Sequence, residues 1–152
     1  MNVMKLRVSV PIEATKEEIW RVMTDFEHEI ETLHNVNNVD ITENPNHTLN
    51  GLKWRETRTL FGEQETEEIC ITEFRENSYY KTHSESHGIA HDVTYAIEPE
   101  GDHNLLLVNY ESHPQKFSAR VNSLLYGRLM KTTTAQTLLE DLKDIKEAVE
   151  HH

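Results

Sequence analysis

Two glutamates and an arginine interrupt an apolar stripe. The stretch from Gly51 to Phe74, GLKWRETRTLFGEQETEEICITEF, alternates like two β-strands around a glycine turn. Alternate strand residues share a face, so Leu52, Trp54, Glu56, Arg58 and Leu60 fall together, as do Glu65, Glu67, Ile69 and Ile71. Each set is the more apolar face of its strand and is expected to point inward. A lone buried charge is costly and a paired one tolerable, and an arginine fork can be shared by two carboxylates. The expected register uses Gly62-Glu63 as a two-residue II′ loop. It sets Arg58 opposite Glu67, Glu56 opposite Ile69 and Trp54 opposite Ile71. A Phe61-Gly62 loop would instead pair Arg58 with Glu65 and Glu56 with Glu67. It is disfavoured because it asks for a positive φ at phenylalanine.

This grouping has two readings. The ions form a half-solvated rim of the sheet, or they form the polar end of a pocket that orients a ligand's hydroxyl or carbonyl. Other polar side chains fall on the same inner face. Ile89, His91, Val93, Tyr95 and Ile97 share a face on one strand, and Leu106, Val108 and Tyr110 on another. The closing helix offers Leu124, Leu125 and either Arg128 or Leu129, according to its rotation. The expected ligand-binding set is Trp54, Glu56, Arg58, Glu67, Ile69, His91, Tyr95, Tyr110 and Leu125. The histidine-rich run HSESHGIAH invites a metal reading, but His83 and Glu85 share a face with Lys81 and are expected outside, while His87 abuts a turn at Gly88. No metal and no cofactor is expected. Cys70 shares a face with Glu68 and Thr72, which gives it no cue for a reactive thiol.

The elements that would position these groups are legible in the same way. A strand over 4–11 precedes a helix capped by Thr15, with Glu18 completing a capping box; Asp25 ends the helix, and a short helical piece follows over 26–32. Strands are expected over 36–43, 50–60, 64–74, 78–86, 89–98 and 104–113, divided by turn signals. Short turns imply antiparallel neighbours. Residues 117–149 read as one amphipathic helix, with Leu138, Leu142, Ile145 and Val149 on one stripe and Gly127 and Thr132-Thr133-Thr134 as weak points. The expected class is α+β: a curved antiparallel sheet in the order β-α-α-β6-α around a long C-terminal helix, with 1–150 as a single domain. A curved sheet gripping one helix leaves volume that side chains do not easily fill.

Composition bounds the partners. The 152 residues carry a formal net charge of −12, which argues against nucleic acid and anionic membrane surfaces. No apolar run approaches a membrane span, and the opening MNVMKLRVSVPIEA lacks signal-peptide order. A single cysteine forbids an internal disulfide and fits a cytoplasmic location. The acidity itself is read as solubility. A monomer or a homodimer is compatible with the sequence. His151 and His152 fit either a native end or a tag.

Three segments carry a family resemblance. VPIEATKEEIWRVMTDFE resembles the opening strand and capped, Trp-bearing helix of the START-like (SRPBCC, helix-grip, Bet v 1-like) superfamily, in its polyketide cyclase/dehydrase-type branch. GLKWRETRTLFG with EEICITEF resembles the second hairpin, and TLLEDLKDIKEAVE the end of the closing helix. The resemblance implies the helix-grip fold and an apolar or amphipathic small-molecule ligand of lipid, polyketide or aromatic type, held between sheet and helix. It implies no catalytic motif. One alternative is a cyclase or dehydratase-like enzyme with His91 or Glu56 as general base and Arg58 or Tyr110 stabilising an enolate. Arg58 would lower the pKa of Glu56, which favours His91. A third reading is a co-chaperone-like interaction module, which would need an exposed apolar patch.

Overall fold

In the computed structural model the backbone is described for residues 3–45, 48–60, 62–115 and 117–151, and the side chains of the same residues except 60 and 117–130. The chain runs β1 (Met4–Ile12), α1 (Lys16–Met23), a 3-10 turn (Phe26–His28), α2 (Glu29–Thr32), β2 (Val36–Glu43), β3 (Lys53–Leu60), β4 (Glu63–Arg75), β5 (Tyr79–Ser86), β6 (Ile89–Glu100), β7 (His103–Pro114) and α3 (Phe117–Glu150). The strands form one antiparallel sheet in the order β1-β7-β6-β5-β4-β3-β2. Register shifts between β2 and β3, and between β4 and β5, bend it. The α+β helix-grip architecture expected from the sequence is the one observed.

Local chemistry explains the joints. Thr15 caps α1, its Oγ1 accepting from the Glu18 N–H at 3.1 Å. The β5–β6 loop is His87-Gly88 with both φ positive, the type I′ pattern that matches strand twist. Helix α3 is continuous over 34 residues and lies against β1, β7 and α1, so neither Gly127 nor the threonine run interrupts it. At about 1.5 Å per residue it spans about 51 Å. Its stripe Leu138, Leu142 and Ile145 is buried in the core with Ile12, Ile19, Trp20, Leu106 and Val108. Its far end is tied down: Glu150 accepts from the Glu13 N–H at 2.9 Å, and Lys146 donates to the Pro11 carbonyl.

The β3–β4 register corrects the sequence expectation. Leu60 pairs with Glu63, Arg58 with Glu65, Glu56 with Glu67 and Trp54 with Ile69. The loop is therefore Phe61-Gly62, the alternative that was disfavoured. Glycine takes the left-handed conformation at the second loop position, with φ +77 at Gly62, rather than at the first. Phe61 lies outside the described residues. Both registers keep the same residues on the inner face, so the face assignment is unaffected.

Candidate functional site

The inner face of the sheet carries two polar groupings. The first gathers on β3, where strand alternation sends Trp54, Glu56 and Arg58 inward. Arg58 Nε donates to Glu56 Oε2 at 2.7 Å. Its Nη1 and Nη2 reach Asp141 Oδ1 and Oδ2 of α3 at 3.1 and 2.9 Å, a two-pronged ion pair. Trp54 Nε1 donates to Glu56 Oε1 at 3.4 Å. Glu56 and Asp141 are 5% and 2% exposed, so these are core ions rather than a solvated rim. A third carboxyl arrives from α2: Glu29 hydrogen-bonds to Glu56, and its Oε2 is sealed from solvent.

The electrostatics follow from burial and pairing. Burial, then the charge of Glu56, pushes the Glu29 carboxyl well above the usual range, so it holds its proton and donates it to Glu56. Burial would raise Glu56 too, but Arg58 and the hydrogen bonds from Glu29, Arg58 and Trp54 prevail and hold it below the usual range. Burial raises Asp141 against the pull of Arg58. Burial opposes the Arg58 charge, yet Glu56 and Asp141 hold it firmly protonated. A cavity of about 30 Å³ adjoins the cluster, lined by Glu29 and Asp141 together with Asp25, Tyr80, Tyr95 and apolar side chains of α1 and α3.

The second grouping lies on β4 to β7. His91 Nδ1 sits 2.5 Å from the Tyr110 hydroxyl, and its Nε2 is 3.1 Å from Ser86 Oγ. Burial pushes His91 down, so the ring is neutral near pH 7. Burial pushes the Tyr110 phenol up, against a hydrogen bond from Ser112. Each ring nitrogen of His91 thus meets a hydroxyl, so one hydroxyl accepts from the ring and the other donates to it. Ser84 Oγ donates to Glu67 Oε1 at 2.5 Å beside this chain. Glu67, Ile69, His91, Val93 and Tyr110 are half-buried, unlike the closed core below them.

The sequence-named residues thus divide. Glu56 and Arg58 meet, but Glu67 does not join them; it serves Ser84. Arg58 takes its second carboxylate from Asp141, which the strand pattern could not show. Trp54 is 2% exposed and stacks on Phe26, with ring centroids 4.3 Å apart. Phe26 meets Tyr80 edge-on and Tyr80 stacks on Tyr95, so Trp54 and Tyr95 belong to a packed aromatic column. The Leu125 side chain lies outside the described residues. Glu29 and Asp141 were missed. Asp141 had a signal, because it falls on the buried stripe between Leu138 and Ile145. Glu29 had none: its neighbour Ile30 is the natural candidate for burial, yet Ile30 is 44% exposed. On the outer face His83 pairs with Asp92 at 2.7 Å, and among the described residues no His, Cys, Asp or Glu cluster could hold a metal.

The family described as "Domain of unknown function (DUF3284)" matches residues 8–131. The chain belongs to this family. No curated protein matches it. Among solved structures, a START superfamily protein from Mycobacterium smegmatis is 19% identical, covers 96% of this chain and 97% of its own, and has a TM-score of 0.79. The Zhui aromatase/cyclase from a Streptomyces species is 11% identical over 97% of this chain and 94% of its own, at 0.80. A major latex-like protein from Panax ginseng is 13% identical over 99% of both, also at 0.80. This chain therefore has the START-like, Bet v 1-like helix-grip fold. Among the described residues no helix is long and apolar enough to cross a membrane.

Proposed function

We propose that the protein binds an apolar or amphipathic small molecule between the inner face of β4–β7 and α3, with the His91–Tyr110 chain and Glu67 orienting its polar groups. One observation carries this reading. A connected set of hydroxyls, an imidazole and a carboxylate stands half-buried on a face that is otherwise apolar, and among the described residues it joins only neighbouring strands of the sheet. Pockets of this class are mostly apolar with a few convergent polar groups. Ile69 and Val93 supply the apolar wall. The aromatase/cyclase and START neighbours support a ligand of lipid, polyketide or aromatic type. The acidic balance, −12, favours a soluble protein that avoids nucleic acid, and the single cysteine fits a cytoplasmic location.

The enzymatic alternative needs a free base. Glu56 is enclosed by Arg58, Trp54 and Glu29. Both ring nitrogens of His91 are engaged, by Tyr110 and Ser86. Both facts favour binding over general-base chemistry.

The test is organic extraction of purified protein with mass spectrometry of what is released, followed by titration with n-octanol. A stoichiometric apolar compound, or saturable octanol binding that a His91→Phe, Tyr110→Phe double variant weakens, is expected. An empty extract together with no octanol binding would sink the reading.

A further inference from the structure

His91 has a hydroxyl at each ring nitrogen: Tyr110 lies 2.5 Å from Nδ1, and Ser86 lies 3.1 Å from Nε2. A neutral imidazole carries one N–H and one lone pair, so one of these hydroxyls donates to the ring while the other accepts from it. An imidazolium carries two N–H groups and no lone pair, so both hydroxyls must accept. Whichever tautomer the neutral ring adopts, protonation turns one hydroxyl about its C–O bond and frees its hydrogen. Tyr110 has two acceptor lone pairs and can accept from the ring while it keeps the hydrogen bond from Ser112. Each proton taken up by His91 therefore adds one donor to this wall and uses up one acceptor lone pair. Ser86 and Tyr110 are both half-buried on the inner face. The freed hydrogen has the proposed ligand as a partner, in competition with Glu67, whose charge bears on both His91 and Tyr110.

We propose that protonation of His91 switches the ligand preference of this site, from hydroxyl-bearing molecules toward carbonyl-bearing ones. The inference rests on the proposed small-molecule binding and supplies its regulation. An alcohol donates as well as accepts, so it uses the acceptor lone pairs of the wall. A ketone only accepts, so it gains from the added donor and loses nothing with the lone pair.

The switch lies on the acid side of neutrality. Burial pushes His91 below the ordinary histidine value, so the ring takes its proton only as pH falls below about 6.5. Among the described residues, the charged and titratable groups that act on it are Glu67 from β4, His83 from β5, His87 from the β5–β6 loop, its neighbour Asp92 on β6 and Tyr110 from β7. Glu67 and Asp92 favour the proton, while His83 and His87 oppose it. A ketone that binds the protonated ring more tightly must in turn raise the His91 pKa and take up protons as it binds.

The experiment is calorimetric titration with methyl n-hexyl ketone and with n-octanol, at about pH 7.5 and about pH 5, on either side of the histidine range. Acid is expected to improve ketone affinity relative to octanol affinity by about three- to tenfold, the worth of one hydrogen bond. In the unaltered chain, saturating ketone should raise the His91 pKa, followed by its ring NMR signals, by about half a unit to one unit more than saturating octanol does. His91→Phe keeps an aromatic ring but has no proton site, and its ratio of affinities should not change with pH. A ratio that is the same at both pH values in the unaltered chain, the result if Glu67 takes the freed hydrogen, overturns the switch and leaves the small-molecule reading standing. A pH-dependent ratio that survives His91→Phe does the same. If neither probe binds at either pH, the small-molecule reading itself fails and takes this one with it.

Discussion

The Arg58 cluster and the His91 chain occupy the same face of one sheet, but they connect different things. Arg58 ties β3 to α3 through Asp141, and Glu29 brings in α2. Among the described residues, His91, Tyr110, Ser86 and Ser112 tie only strands that backbone pairing already holds together. A polar group that joins separate elements is explained by the fold. One that joins nothing new needs a different explanation, and on a half-buried face a bound molecule supplies it.

The comparison breaks most easily at Arg58. Arg58→Ala leaves Glu56 and Asp141 buried without a counter-charge and should cost about 3–5 kcal/mol in urea unfolding. A loss below about 1 kcal/mol would show that the cluster does not hold the elements together. His91→Phe should cost less, about 1–3 kcal/mol, chiefly from the stranded Tyr110 hydroxyl.

The two regions should also answer pH with opposite signs. Glu29 is raised, so between the ordinary glutamate range and its own pKa the native state holds a proton the unfolded chain does not. Stability therefore falls as pH rises, by at most about 1.4 kcal/mol per pH unit, and Glu29→Gln should flatten that slope. His91 is lowered, so below the ordinary histidine value the unfolded chain takes a proton first. Stability then falls as pH falls, and His91→Phe should remove that component. Unfolding midpoints measured across pH for the two variants separate the contributions; equal slopes in both would erase the distinction. The smallest effect sharpens the local contrast on α2. Ile30→Lys, one residue from Glu29, should change stability by less than about 0.5 kcal/mol because Ile30 faces solvent.

How far the sequence carried these conclusions depended on periodicity. Every strand, the Thr15 cap and the long α3 were legible because alternation and helical spacing are local signals. The inward placement of Glu56, Arg58, His91 and Tyr110 followed from the same period of two. Partner choice was not local. Glu67 and Asp141 competed for Arg58, and only the approach of α3 over the sheet decides between them. The β3–β4 loop was not legible because a two-residue turn accepts glycine at either position, and here glycine takes the second. Glu29 was hidden because a single helical turn has too few residues to show an amphipathic face.

The aromatic column has a practical consequence. The chain contains two tryptophans, and both are buried near Tyr80: Trp20 meets it edge-on, and Trp54 reaches it through Phe26. Trp54 also donates its indole N–H to Glu56. The chain therefore carries an intrinsic optical probe wired to its charged centre, and its ultraviolet emission colour should report any change of protonation or occupancy there without a dye or label.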